Sequence, residues 1–285
     1  MLAYKTIYTT CLFFELLLDC SLQSYSAQLV SRLFRLTYLK HTESAMLSRD
    51  RCIYLVNHKS WADFVCDIHL CDNPIALSRY MVAVAFPVLL IGSLISDNVR
   101  FIRKDKSAVA SFRRIMDSVY SKSDYYRNIM IYPEGSRFPE TNVNPIKKGA
   151  LIYSFEKRIP VQIIVSRNKE VFVDEKKLRV QSPVIIWTYY SDPIDPMRFE
   201  TLEKYINHVS RVWSESCSIV YNETDKFIPN VIQPRCAPLR SRPVIRISLL
   251  FTIFTIVGSI LSGHNWIGSA HTTPAPSSWS PRPPC

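Results

Sequence analysis

The sequence predicts an α/β fold in which helices flank a central, mostly parallel sheet. Short apolar runs of strand length alternate with segments of helical periodicity, and this alternation is typical of a parallel sheet. Of the 285 residues, 47% are hydrophobic and only 6 are Gly. This composition supplies enough apolar side chain for a core, so it excludes a disordered chain and a collagen-like repeat. We expect one globular domain over residues 46–225, with additional segments at both ends of the chain.

The predicted elements follow one another through this domain. Residues 52–56 form a short apolar run that ends at Asn57 and His58, which indicates a buried strand. Ser60 is a candidate helix N-cap, with Asp63 three residues later in a capping-box-like arrangement. The remaining predicted elements are an amphipathic helix at 107–120, a strand at 129–132, a helix at 149–157, strands at 161–165 and 184–190, and a helix at 197–220.

The helix at 107–120 has the clearest amphipathic pattern. Its apolar positions recur at helical spacing, and its arginines lie on the opposite face. The predicted buried face consists of Val109, Phe112, Met116 and Val119.

The N-terminal segment, residues 1–45, is predicted to associate with a membrane through helices. Residues 7–18 are mostly apolar, but this run is too short for a dependable transmembrane span and suits an interfacial helix. Residues 81–96 carry no charge and are interrupted by Pro87. They are expected to form a helix pair or hairpin, either buried in the domain or at the membrane interface.

The C-terminal part contains a stronger membrane candidate at residues 247–270. This stretch has no Asp, Glu, Lys or Arg, and as a helix it would be about 36 Å long, enough to cross a hydrocarbon core of roughly 30 Å. Residues 226–246 form a basic linker, so the positive-inside rule places that side in the cytosol. The alternative is a buried C-terminal helix. Residues 271–285 are rich in Pro and Ser and are expected to be a disordered tail.

The charge balance points to an anionic partner. Lys and Arg number 35 against 24 acidic residues, for a formal net charge of +11. Nucleic acid, a phosphorylated substrate and an acidic lipid surface all satisfy this balance. No nucleic-acid-binding motif is present, so we predict no nucleic-acid partner. The eight cysteines are scattered, and Cys66, His69 and Cys71 lack a C-x-x-C pair, so we predict free thiols and no metal site.

The most informative stretch contains His58 and Asp63, directly after the strand at 52–56. A His at the carboxyl end of a strand lies where α/β folds bind ligands. A carboxylate five residues later can hold one ring nitrogen and leave the other free to accept a proton. The alternative is that Asp63 only caps the helix and His58 is a loop residue. No nucleophile elbow is present, so the attacking hydroxyl is expected to come from the substrate.

Two further stretches suit a phosphate. Glu134, Gly135, Ser136 and Arg137 follow the strand at 129–132, where a Gly permits an unusual backbone angle and a hydroxyl and a guanidinium can meet an oxyanion. A surface turn is the alternative. In the second stretch, Arg103 and Lys104 lie at the end of an apolar strand, and the alternative is a solvated run of charges.

Taken together, these motifs resemble the glycerolipid acyltransferase family, and more narrowly its 1-acylglycerol-3-phosphate (lysophosphatidate) acyltransferases. The order is N-H-x4-D, then F-I followed by basic residues, then P-E-G-S-R, then a Pro-led apolar strand, over about residues 50–195. The K-K-G-A segment at 147–150 also matches that subgroup. The chain departs from the usual family pattern at Asn98, where Gly is usual, at Lys104, where Arg is usual, and at Ser136, where Thr is commoner.

The resemblance implies acyl-CoA-dependent transfer of a fatty acyl chain to the free hydroxyl of lysophosphatidic acid, giving phosphatidic acid. It implies His58 as general base and Asp63 as the residue that orients it, with backbone N–H groups near Ser60 as candidates for stabilising the oxyanion. It also implies that Arg103, Lys104, Glu134, Gly135, Ser136 and Arg137 hold the acceptor phosphate.

The same resemblance implies no metal and no bound cofactor, with acyl-CoA as cosubstrate. It places the enzyme on an anionic membrane surface, at the endoplasmic reticulum with the catalytic domain facing the cytosol. The oligomeric state stays open. The alternatives are the same chemistry on another lysophospholipid or on glycerol phosphate, and a catalytically silent lipid-binding protein on the same fold.

Overall fold

An eight-stranded sheet forms the centre of the part of the chain that the structure describes. The structure is a computed structural model, and it describes residues 27, 30–60, 63–72, 74–85, 99–102, 108–121, 128–137, 144–174, 177 and 179–230. All of these residues belong to one structural unit, Met1–Leu239.

The sheet is mostly parallel, as the sequence predicts. Its strand order is β10-β1-β9-β6-β2-β5-β3-β4, and only the pairs β1–β10 and β6–β9 are antiparallel. A separate two-stranded sheet pairs β7 with β8. The strands are β1 (Leu36–His41), β2 (Ile53–Val56), β3 (Ile75–Arg79), β4 (Val99–Ile102), β5 (Ile129–Ile131), β6 (Val161–Arg167), β7 (Val173–Asp174), β8 (Arg179–Val180), β9 (Val184–Tyr190) and β10 (Phe227–Pro229).

Helices cover both faces of this sheet. In the described residues they are α1 (Asp63–Leu70), α2 (Tyr80–Ala85), α3 (Ala108–Tyr120), α4 (Gly149–Lys157), α5 (Lys169–Phe172) and α6 (Leu202–Asn222). Successive side chains of a strand point to opposite faces, so Ile53 and Leu55 pack with α3, α4 and α6, whereas Tyr54 and Val56 pack with α1. Because both faces are covered, the central strands are continuous apolar runs.

The sheet extends past the expected boundaries at 46 and 225. Leu36–His41, expected within membrane-associating helices, instead form β1, which pairs with β9 on one side and β10 on the other. A left-handed residue, Arg35 (φ 49°), ends the preceding helical turn and starts the strand. β10 lies in the segment expected to be a basic linker. The remainder of that N-terminal segment up to residue 26 lies outside the described residues.

Two details differ from the sequence prediction. Val109 is 69% exposed, because only the later turns of α3 pack against the sheet, through Met116, Val119 and Tyr120. The last helix begins at Leu202 rather than at residue 197, because the Thr201 hydroxyl caps it by accepting a hydrogen bond from the Lys204 N–H.

The membrane predictions lie largely beyond what is described. No helix within the described ranges is long and apolar enough to cross a bilayer. Two predictions fall outside those ranges entirely: the span at 247–270 and the tail at 271–285. Of the segment at 81–96, the described part is the portion within α2.

Candidate active site

Three parallel strands end at the same edge of the sheet, and two of them carry the predicted motifs there. β2 pairs in parallel with both β5 and β6. The N-H-x4-D motif follows β2, and the P-E-G-S-R motif follows β5. Carboxyl ends of parallel strands are the usual place for a ligand site in this class of fold.

Asn57 fixes the start of the first motif. Its side-chain oxygen accepts a hydrogen bond from the Ser166 N–H, and its amide donates to the Ser166 carbonyl, both at 2.8 Å. These two hydrogen bonds extend the pairing of β2 with β6 beyond the end of β2, with the Asn57 side chain in place of backbone. His58 therefore follows a fully anchored backbone rather than a free loop.

His58 and Asp63 form the predicted pair. The distance from His58 Nδ1 to Asp63 Oδ2 is 2.8 Å. The Lys59 N–H donates to the same carboxylate oxygen, and the Ser60 N–H donates to Oδ1 at 3.0 Å. Three donors therefore hold a carboxylate that is fully buried. The capping interpretation is also realised, so the two roles coexist in one side chain.

The other side of the imidazole is open. The His58 ring stacks on Tyr132 at 4.2 Å between centroids with an interplanar angle of 15°. Its side chain is 24% exposed, and within the described residues Nε2 has no hydrogen-bond partner. With Nδ1–H donating to Asp63, Nε2 is the nitrogen that can accept a proton.

Asp63 stays ionised because positive charge and N–H donors surround it. Burial by itself would raise the pKa of Asp63, but the nearby Lys169 ammonium and the hydrogen bonds from His58 and Lys59 outweigh burial and lower that pKa. The carboxylate form is the one that accepts the His58 N–H and stabilises an imidazolium.

A buried ion pair beneath this site was not predicted. Lys169, two residues after the end of β6, is fully buried, and its Nζ lies 2.9 and 3.0 Å from the two carboxylate oxygens of Asp67. The Tyr132 hydroxyl donates to Asp67 Oδ2 at 2.9 Å. One feature of the sequence could have indicated this ion pair. Asp63 and Asp67 are four residues apart, so they share a face of a mostly apolar helix, and two buried carboxylates need a cation as partner.

Glu134 contacts the backbone of His58. Its carboxylate accepts a hydrogen bond from the His58 N–H at 3.2 Å, and the residue is only 6% exposed. Burial raises the pKa of Glu134 to about 7. This geometry joins the two motifs, whereas the sequence prediction gave Glu134 a contact with the acceptor phosphate.

Gly135 adopts a left-handed backbone conformation, which favours glycine at this position of the turn. Its φ is +73°, and an added Cβ would overlap Lys147, with Cε only 2.8 Å away. The Arg79 guanidinium donates to the Gly135 carbonyl. Ser136 and Arg137, next along the chain, are exposed. A hydroxyl and several cationic side chains thus surround this turn.

Some predicted site features do not come together in the described part of the chain. Arg103 and Lys104 lie outside it, so their expected phosphate contact is not described. The N–H groups of Lys59 and Ser60 already donate to Asp63, so they do not provide the oxyanion site expected near Ser60. Among the described residues, no group of His, Cys, Asp or Glu is arranged to hold a metal ion.

Comparison with known proteins finds similarity to acyltransferases in sequence and in fold. A family model described as Acyltransferase matches residues 38–166. A 1-acyl-sn-glycerol-3-phosphate acyltransferase from Cocos nucifera is 26% identical over 167 residues, which cover 58% of this chain and 52% of that protein. The chain thus spans about half the length of the curated relative it matches.

A solved structure shares the fold. The crystal structure of the 1-acyl-sn-glycerophosphate (LPA) acyltransferase PlsC from Thermotoga maritima matches with a TM-score of 0.55 at 16% identity, covering 78% of this chain and 93% of that one. The α/β architecture with a mostly parallel sheet is therefore common to both. His58, Asp63 and the P-E-G-S-R turn all lie within residues 38–166, the part of the chain that the Acyltransferase family model matches.

Proposed function

We propose that the protein transfers a fatty acyl group from acyl-CoA to the free hydroxyl of lysophosphatidic acid, giving phosphatidic acid. The observation that carries this proposal is the His58–Asp63 pair at the carboxyl edge of the sheet of an acyltransferase-family domain. The curated relative from Cocos nucifera, named a 1-acyl-sn-glycerol-3-phosphate acyltransferase, supports the choice of acceptor.

In the proposed mechanism His58 is the general base. Its Nε2 takes the proton from the acceptor hydroxyl while the hydroxyl oxygen attacks the thioester carbonyl carbon. Asp63 holds the ring through Nδ1 and stabilises the imidazolium that forms. When the tetrahedral intermediate collapses, the C–S bond breaks and the imidazolium returns its proton to the departing CoA sulfur. The protein forms no covalent bond to the acyl group.

The acceptor phosphate is proposed to bind at the turn after β5. Ser136 and Arg137 are exposed there, while Gly135 is held between Lys147 and Arg79. A phosphate forms its strongest hydrogen bonds with charged donors such as a guanidinium, and a hydroxyl can add a further one. Arg103 and Lys104 are proposed as further phosphate contacts. Glu134 instead acts through the backbone of His58, because its carboxylate is buried against that N–H.

The setting we propose is the cytosolic face of the endoplasmic reticulum membrane. A product with two acyl chains is retained by a bilayer, so an enzyme on that surface has direct access to acceptor and product. The segment at residues 1–26 and the apolar stretch at 247–270 are proposed as the parts that hold the chain there. The basic linker that precedes residue 247 suits anionic headgroups.

The test is an acyl-transfer assay with an acceptor panel. Membranes that contain the wild-type protein or His58→Ala are given labelled acyl-CoA with lysophosphatidate, other lysophospholipids or glycerol phosphate. We expect His58-dependent product from lysophosphatidate. Product from another acceptor would retain the mechanism and change the substrate. The absence of His58-dependent product with every acceptor, from folded protein, would overturn the proposal in favour of a lipid-binding role.

A further inference from the structure

Lys169 makes an unusual set of contacts for a lysine. Its side chain is fully buried, and its Nζ donates to Asp67 Oδ1, to Asp67 Oδ2 and to the carbonyl oxygen of Asn57, at 2.9, 3.0 and 2.8 Å. These acceptors match the three N–H bonds of an ammonium group. Asp63 Oδ1 lies 3.8 Å away, so Lys169 reaches Asp63 through charge.

The cation is placed where two carboxylates would otherwise repel each other. Asp63 and Asp67 are both buried on one face of α1, and like charges in a buried site drive one carboxylate to take up a proton. Burial alone would lower the pKa of Lys169, but the two carboxylates outweigh burial and raise that pKa, so the group stays an ammonium. One ammonium faces two carboxylates, and burial together with the Asp63 charge still raises the pKa of Asp67 to about 7, so loss of the Lys169 charge would leave both acids without the cation between them.

We propose that Lys169 is a positioning residue for acyl transfer, which keeps Asp63 a carboxylate facing His58 and holds the backbone that leads into His58. This inference rests on the proposed function. The ammonium acts on Asp63 by charge, and it acts on the loop through the Asn57 carbonyl, one residue before the base. The side chain is buried and fully hydrogen-bonded, so it has no contact with substrate.

The burial and the contacts predict a particular kinetic pattern. Without the ammonium, either Asp63 or Asp67 becomes protonated, and a protonated Asp63 orients and stabilises the His58 imidazolium poorly. The chemical step then slows while substrate binding is retained. Removing Asp67 together with the ammonium removes the repulsion as well, so much of the loss should be recovered.

The experiment compares four variants of the full-length protein in membranes: Lys169→Met, Asp67→Asn, the double variant Lys169→Met/Asp67→Asn, and Lys177→Met. Methionine keeps the length of the lysine stem. Lys177 is an exposed lysine, with 74% of its side chain accessible, and serves as the matched control. Acyl transfer to lysophosphatidate gives kcat and KM for each variant, and thermal unfolding gives the folded fraction.

We expect Lys169→Met to lower kcat per folded molecule about 100-fold, the scale of a general-base contribution, with KM within about threefold of wild type. The double variant should recover about tenfold of that loss. Lys177→Met should match wild type. Wild-type kcat in Lys169→Met, or a higher KM at unchanged kcat, would overturn the inference, as would a double variant no faster than Lys169→Met.

A folding failure of Lys169→Met leaves a second comparison. Both Asp67→Asn and the double variant have one carboxylate fewer, so neither buries two unpaired acids. The double variant should be about tenfold slower than Asp67→Asn because it lacks the cation beside Asp63. Equal rates would refute the inference. An inactive wild-type protein would instead refute the proposed function, and this inference with it.

Discussion

Replacement of Asp63 by Asn tests how the buried carboxylate acts. The carboxylate receives hydrogen bonds from the His58 ring, the Lys59 N–H and the Ser60 N–H on its two oxygens. An amide of the same size has one acceptor oxygen and one NH2 group. At least one of the three donors must therefore face another donor in Asp63→Asn.

Each orientation of the amide has a defined cost. With the NH2 group toward His58, the ring must accept at Nδ1, so Nε2 carries a hydrogen and accepts no proton from the substrate. With the oxygen toward His58, the NH2 group faces the Ser60 N–H where the carboxylate oxygen was. In both orientations the negative charge that stabilises the imidazolium is gone. We expect kcat to fall by about 10²–10⁴, the range for loss of an oriented general base.

Asp63→Asn should affect the stability of the fold less than it affects kcat. A hydrogen bond to a charged group contributes about 1.5–3 kcal/mol, so Asp63→Asn should lower the free energy of unfolding by about that amount. KM should stay near the wild-type value, because Asp63 is buried and has no surface for substrate.

The assay measures kcat and KM for acyl transfer by Asp63→Asn beside Asp225→Asn, an exposed aspartate that provides the matched control. Unfolding curves establish that both variants are folded at the assay temperature. A kcat for Asp63→Asn within threefold of wild type would refute the reasoning, because the carboxylate would then serve only as a helix cap. That threefold limit is set well below the loss of about 10² expected at minimum.

Three further predictions concern a glycine in the P-E-G-S-R turn, the buried Glu134 carboxylate and the C-terminal segment. Gly135→Ala should destabilise the protein by about 1–2 kcal/mol, whereas Gly149→Ala, where a Cβ meets nothing within 4 Å, should be neutral or stabilising; thermal unfolding separates them. Burial raises the pKa of Glu134 to about 7. A raised pKa favours the protonated folded state, so the stability of wild type relative to Glu134→Gln should fall by up to about 3 kcal/mol as pH rises from about 5 to 8, and equal pH dependence in denaturant titrations would count against it. Deletion of residues 247–285 should release protein from membranes in carbonate extraction, and unchanged retention would speak against an anchor there.

Local signals in the sequence predicted the centre of the fold well. The strands under the site are buried on both faces, so each is a continuous apolar run that ends at a polar motif. The helix at Gly149–Lys157 and the strand at Val184–Tyr190 agree with their predicted bounds. The α/β fold with a mostly parallel sheet is confirmed.

Strands β1 and β10, at one end of the sheet, escaped prediction because their burial depends on partners distant in the chain. Leu36–His41 contains apolar and polar residues with only two buried positions, and it is a strand because β9 and β10 lie on either side of it. β10 has three residues and one partner. Their register depends on tertiary pairing rather than on local periodicity.

The candidate site divides in the same way. His58 and Asp63 are five residues apart at the start of one helix, so their spacing allowed a contact, and the structure shows it at 2.8 Å. Lys169 is 102 residues from Asp67, and nothing near it in the sequence distinguishes it from a solvated lysine. The contact between Glu134 and the His58 N–H also depends on the neighbouring ends of β2 and β5.

The most direct test of the central claim is the rate of acyl transfer to lysophosphatidate by purified His58→Ala, measured beside His208→Ala. His208 is a partly exposed histidine on α6, and its replacement controls for the loss of an imidazole. With equal folded fractions, kcat for His58→Ala should be lower than wild type by about 10²–10⁴, and His208→Ala should match wild type. A His58→Ala protein as fast as wild type would contradict the account.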